Sequence, residues 1–133
     1  MKYFAYASNL SRREMQQRCP DARRLFSARL PNHTLVFTVG SRSRPGGTAT
    51  IRLQKGEQVP GGVYEIDDRC LRALDRGEGY PVESDRMNVI VFNDLGDAVE
   101  AVTYFKKGRA AEAPPSKEYL VPLREGYREW GLV

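Results

Sequence analysis

Hydrophobic and polar positions change period several times along the chain, and each change predicts an element. Residues 2–6 alternate aromatic and small side chains and read as a short buried strand. Ser8-Asn9 breaks that pattern. Ser11-Arg12-Arg13-Glu14 has the S-x-x-E capping form, so a helix is expected from Ser11 to about Arg18, ended by Pro20. Residues 23–30 and 33–39 read as two strands, the second through the β-rich run Leu35-Val36-Phe37-Thr38-Val39. Ser41 to Gly47 is a polar loop. Alternation returns over Thr48 to Leu53, Pro60-Gly61-Gly62 punctuates, and Val63 to Ile66 is a further strand. Asp67 can cap a helix over about 68–76, with Leu71 and Leu74 on one face and Gly77-Glu78-Gly79-Tyr80-Pro81 as its stop. Met87–Phe92 and Ala98–Phe105 form a hairpin around Asn93-Asp94-Leu95-Gly96. Ala113-Pro114-Pro115-Ser116 leads stiffly into a last helix, about 117–129. Its apolar face of Tyr119, Leu120, Leu123, Tyr127 and Trp130 contains Pro122, which is expected to kink or split it.

The order is strand, helix, four strands, helix, two strands, helix. Runs of strands between isolated helices predict an α+β fold with a mixed or largely antiparallel sheet, open or closed into a small β-barrel. The length of 133 residues, without repeat or linker, fits one domain over residues 1–133. Apolar runs such as Val89-Ile90-Val91-Phe92 fall far short of the roughly 18 residues that span a bilayer. The N-terminus lacks the apolar core of a signal peptide, so a cytoplasmic location without membrane attachment is the default expectation. On that compartment logic Cys19 and Cys70 are expected as free thiols rather than one disulfide. The single histidine, His33, has no second histidine or Cys-x-x-Cys beside it, which excludes a structural zinc site; no metal or cofactor is expected.

Charge is uneven. Residues 1–52 hold ten Lys/Arg against two Asp/Glu, and residues 53–133 hold eleven against fifteen. A basic half can serve a nucleic acid or an anionic ligand. The chain lacks the aromatic–basic interleaving and the zinc or helix-turn-helix signatures of nucleic-acid binders, so no nucleic-acid partner is expected.

Three segments carry candidate chemistry. Tyr6-Ala7-Ser8-Asn9-Leu10 stands between a strand and a capped helix, where free backbone N–H groups can hold a carboxylate or a developing oxyanion; its alternative is an ordinary turn. In Leu74-Asp75-Arg76-Gly77-Glu78-Gly79, Glu78 sits between glycines just beyond a helix. A lone carboxylate there can act as general base and then general acid if burial raises its proton affinity; its alternative is a solvated loop glutamate. In Ala113 to Tyr119 a stiff Pro-Pro segment can line a cleft and Tyr119 can offer a hydroxyl, unless it packs in the core. Arg42 and Arg44 can clamp an acid or simply be solvated. Gly46-Gly47 and Gly61-Gly62 match neither phosphate-binding fingerprint, and without G-x-S-x-G Ser8 is not expected to be a nucleophile.

Taken together, the three segments resemble the gamma-glutamylcyclotransferase family. Its Tyr-Gly-Ser-Asn-Leu loop stands here as Tyr6-Ala7-Ser8-Asn9-Leu10, its Leu-Asp-x-x-Glu-Gly as Leu74 to Gly79, and its Ala-Pro-Pro-Ser-x-x-Tyr as Ala113 to Tyr119. The resemblance runs from residue 3 to about 131. It implies a compact mixed β-barrel flanked by helices. It also implies Glu78 as the catalytic glutamate, residues Tyr3, Phe4, Ala5, Tyr6, Ala7, Ser8 and Asn9 as the loop holding a gamma-glutamyl moiety, and Tyr119 as a substrate contact. The implied partner is a small gamma-glutamyl compound, whose α-amino group attacks its own γ-carbonyl to release 5-oxoproline and an amino acid or amine. One glutamate can move the proton, so the reaction needs neither triad nor metal. The chain departs from the family at two points. Ala7 replaces the usual glycine, which would cost about 1 kcal/mol or more if φ is positive there. Ser84-Asp85-Arg86 stands where many members carry Tyr-x-Arg. The alternative function is a non-catalytic binding or regulatory protein on the same scaffold. Monomer and homodimer both remain open.

Overall fold

The structure is a computed structural model that describes residues 1–40 and 46–133. Its elements run β1 (Lys2–Ala5), a 3-10 turn (Ser8–Leu10), α1 (Arg12–Arg18), β2 (Arg23–Val39), β3 (Gly47–Glu65), α2 (Asp68–Glu78), β4 (Ser84–Asn93), β5 (Ala98–Lys106) and α3 (Lys117–Glu129). The five strands close into a barrel in the order β1-β3-β2-β4-β5. All pairings are antiparallel except β1 with β5, which meet in parallel at Tyr3 and Val102. The α+β barrel flanked by helices is the architecture expected.

Two readings of the middle of the chain are corrected. The runs read as four short strands are two long ones. Pro31 still pairs with Gln58, and the register shifts only beyond it, where Asn32 adopts φ 59° and its side chain accepts from Gly56 N–H at 3.1 Å. A bulge therefore absorbs the proline, as bulges do at strand irregularities. Pro60-Gly61-Gly62 is not a turn either. Gly62 pairs with Ala5, and a Cβ there would lie 2.6 Å from the Trp130 ring. The glycine makes room for an aromatic cover rather than for a bend.

Side chains alternate across the barrel wall, as the strand period requires. Phe4 and Tyr6 join Leu30, Ile51, Val63 and Val91 in one apolar cluster. Tyr3 and Ala5 join Leu10, Met15, Leu74 and Trp130 in a second, which packs the helices on the wall. Trp130 lies edge-on to Tyr64 at 5.3 Å and donates its indole N–H to the Leu10 carbonyl at 2.8 Å.

The cysteines are also corrected. Cys19, which ends α1, and Cys70, in α2, form a disulfide with Cα atoms 5.2 Å apart. Compartment logic is blind to two thiols that folding brings within bonding distance. Pro122 neither splits nor ends α3; it lies buried in the second turn of one helix, Lys117–Glu129. There its missing N–H removes a single intrahelical bond while its ring packs inward. No helix among the described residues is long and apolar enough to cross a membrane.

Candidate functional site

Glu78 is placed by the end of α2. Asp67 caps the helix, accepting from Cys70 N–H at 2.8 Å. The helix runs past the expected stop at Gly77 and ends on Glu78 itself, because Gly79, not Gly77, takes the left-handed φ of 70°. Glu78 is thus the last residue of a helix rather than part of a loop, and it is half-buried.

The N-terminal loop is tied down by its own side chains. Ala7 has φ −134°, so the positive-φ penalty considered for a non-glycine residue does not arise. Leu10 N–H donates to the Ala7 carbonyl and Ser11 N–H to that of Ser8, both at 3.0 Å. The first N–H groups of the turn, those of Ser8 and Asn9, are left unused within it, as at any helix start. The start of α1 is different: Ser11 accepts from Glu14 N–H and Glu129 accepts from Arg12 N–H, so both donors are spent. Asn9 is buried; its amide donates to the Tyr3 hydroxyl at 2.9 Å and accepts from Arg18. Tyr64 donates to the Asn9 carbonyl at 2.8 Å and Tyr6 to that of Tyr104 at 2.7 Å.

The Ala-Pro-Pro-Ser segment is a strap rather than a wall. Val39 N–H donates to Ala111, Ala113 N–H to Phe37 and Gly47 N–H to Pro114. The strap therefore lies as an added edge across the ends of β2 and β3. Gly47 permits this, since a Cβ there would fall 2.0 Å from the Ala113 carbonyl oxygen. Ser116 caps α3 by accepting from Tyr119 N–H at 3.1 Å. Tyr119 then projects from the first turn, its ring edge-on to Phe37 and its hydroxyl accepting from Ala49 N–H at 3.0 Å.

These pieces converge on two connected spaces. An open cleft of about 820 Å³ and an inner recess of about 40 Å³ share Tyr6, Ser8, Ala49, Glu78 and Tyr119 as lining. Tyr3, Ala7 and Asn9 line the recess alone. Phe4 and Ala5 line neither; both are buried in the core, so they support the loop rather than face a ligand. Pro114 and Pro115 also face neither space. Arg42 and Arg44 lie outside the described residues.

Sequence reasoning missed three residues that the fold brings here. Arg18 and Lys106 line the cleft, and Tyr104 lines the recess. Lys106 donates to the Thr38 carbonyl and hydroxyl and to the Thr48 carbonyl at 3.0–3.1 Å. Burial lowers its proton affinity, while Glu78 and Glu83 act the other way. In the sequence it is one of a solvated-looking lysine pair, and only the β5 register, which sets it opposite Ser84, brings it to the cleft. Burial, and after it the charge of Glu78, pushes the Tyr3 and Tyr6 hydroxyls well above the ordinary tyrosine range. Both phenols therefore stay neutral beside Glu78 and serve as hydrogen-bonding walls. Among the described residues no group of His, Cys, Asp and Glu is arranged to hold a metal ion.

This geometry has counterparts. The family model described as "Gamma-glutamyl cyclotransferase, AIG2-like" matches residues 3–125. The gamma-glutamylcyclotransferase of Homo sapiens is 34% identical over 137 residues, covering 98% of this chain and 71% of its own length. That of Bos taurus is 32% identical, with the same 98% and 71% coverage. A solved structure described as "Gamma-glutamyl cyclotransferase" superposes with a TM-score of 0.93 at 31% identity, covering 99% of this chain and 80% of that one. With a match that spans the loop, Glu78 and Tyr119 together, the chain belongs to the gamma-glutamyl cyclotransferase, AIG2-like family.

Proposed function

We propose that the protein is a gamma-glutamylcyclotransferase in which Glu78 moves the proton. The observation that carries this reading is Glu78 itself: a carboxylate on a rigid helix end, lining a recess together with Tyr6, Ser8 and Tyr119 and opening to a wider cleft. The recess together with the adjoining part of the cleft suits a gamma-glutamyl moiety held by the Tyr3–Asn9 loop, and the rest of the cleft leaves room for the leaving group. Glu78 takes a proton from the substrate ammonium. The freed α-amine attacks the γ-carbonyl carbon of the same molecule, and an oxyanion forms on the carbonyl oxygen. Backbone N–H groups of the loop are suited to that charge. The carbon–nitrogen bond to the leaving group then breaks as Glu78 returns the proton to the departing nitrogen; the oxyanion collapses to the lactam carbonyl, and the ring nitrogen gives its second proton to the freed Glu78 carboxylate, which passes it to the released amine. The products are 5-oxoproline and an amine or amino acid. Nucleophile and electrophile share one molecule, so holding the folded substrate supplies much of the acceleration, worth roughly 7–11 kcal/mol in well-oriented cases.

The test is a product measurement. Purified protein is incubated with gamma-glutamyl amino acids, gamma-glutamyl-lysine and glutathione, and 5-oxoproline is scored by mass spectrometry beside Glu78→Gln. Product from at least one substrate, lost in the variant, is expected. Ligand binding by wild-type protein with no product would instead favour a binding role for the same recess.

A further inference from the structure

Asp75 stands one helical turn before Glu78, so the two carboxylates share a face of α2. The reaction above makes no use of Asp75. Its carboxylate is nonetheless bound from two strands. Nη1 of Arg86, on β4, donates to Oδ1 at 2.7 Å and to Oδ2 at 2.5 Å. The Tyr104 hydroxyl, on β5, donates to Oδ1 at 2.5 Å. The Arg86 guanidinium also lies over the Tyr80 ring at 4.3 Å, just past Gly79. The network therefore grips the chain on both sides of Glu78. Tyr104 reaches the site directly: it lines the recess with Glu78, and its carbonyl accepts from Tyr6.

We propose that Asp75 is a positioning residue, which with Arg86 and Tyr104 fixes the last turn of α2 against the barrel and holds the Glu78 carboxylate beside a neutralised rather than a bare charge. The inference rests on the reading of Glu78 as the proton carrier. Two consequences separate it from ordinary structural packing. Arg86 cancels a negative charge one turn from Glu78, so removing either partner changes the field at Glu78, and the two removals act with opposite sign. Tyr104 supplies no net charge, so its hydroxyl acts on position alone. Among the described residues, the other titratable groups around Glu78 are Tyr3 on β1 and Tyr6 just after it, Tyr119 on α3, Lys106 and Lys107 at the end of β5, Arg18 on α1, Arg76 on α2 and Glu83 after α2. All of them are unchanged in the variants below.

The experiment is an NMR titration of the Glu78 side-chain carboxyl carbon in glutamate-labelled protein, assigned by its loss in Glu78→Gln. Wild-type protein is compared with Arg86→Met, Asp75→Asn and the double variant. Arg86→Met leaves Asp75 bare and raises the Glu78 midpoint by roughly half a pH unit or more. Asp75→Asn leaves Arg86 unneutralised and lowers it. The double variant returns toward wild type. Midpoints that do not move, or that move the same way in both single variants, overturn the inference. No substrate is involved, so a wild-type protein without turnover would overturn the proposed function while the titration still decides this proposal. In active protein, Tyr104→Phe keeps every charge and is expected to lower kcat about tenfold with KM little changed; an unchanged kcat also overturns it.

Discussion

At Glu78 the backbone is still helical, and the left-handed turn comes one residue later, at Gly79. That single-residue offset gives the carboxylate a fixed origin, which suits the proton-carrying role proposed for it. Ala7 poses the opposite question, because the family resemblance sets a glycine there. With φ at −134° the alanine stays out of the left-handed region. Ala7→Gly therefore relieves no positive-φ strain and is expected to destabilise the protein by about 0.4–1 kcal/mol through a freer unfolded chain. Urea unfolding of the two proteins measures this, and a clear gain in stability in the variant would show that Ala7 is strained after all.

At the scale of elements, the strap over residues 110–116 decides where α3 begins and hence where Tyr119 points. Gly47→Ala drives a methyl into the Ala113 carbonyl, a backbone atom with no rotamer to escape by. The expected cost is about 1–3 kcal/mol in denaturant unfolding. A drop in turnover should accompany it as Tyr119 loses its place over Ala49, and an unaltered protein on both counts would refute this account of the strap. The same elements show what a sequence reader can and cannot see. Ser11, Asp67 and Ser116 announce their helices because a cap acts on backbone within three residues. Glu78 and Tyr119 were legible because short motifs carry them. Pro31 and Pro60-Gly61-Gly62 misled for the opposite reason: the bulge at Asn32 and the Trp130 ring over Gly62 depend on partners far along the chain. Arg18, Lys106 and Tyr104 were invisible for the same cause, since strand register and helix packing alone bring them to Glu78.

Four phenols among the described residues of the molecule are buried: Tyr3, Tyr6, Tyr64 and Tyr104. Burial pushes Tyr3, Tyr6 and Tyr104 well above the ordinary value of 10.0, and Tyr64 up to about 12. The folded state holds these protons more tightly than the unfolded chain does. Their stabilisation is therefore fully present below pH 10 and is lost as pH rises from there through 12. The urea midpoint should stay level up to about pH 10 and fall steeply beyond, in step with tyrosinate absorbance. Tyrosinate appearing while the midpoint holds would mean that these hydroxyls are open to water.

The bond between Cys19 and Cys70 closes a ring of backbone around β2, β3 and the segment between them. Any single peptide cleavage inside that ring, whether by a protease or by hydrolysis on storage, leaves both pieces on one covalent molecule. Nicked protein would migrate as intact chain on a gel run without reductant and separate into two bands once the disulfide is opened. A preparation judged homogeneous under the first condition alone could thus contain broken chains, and the comparison of the two gels doubles as a direct chemical readout of the pairing.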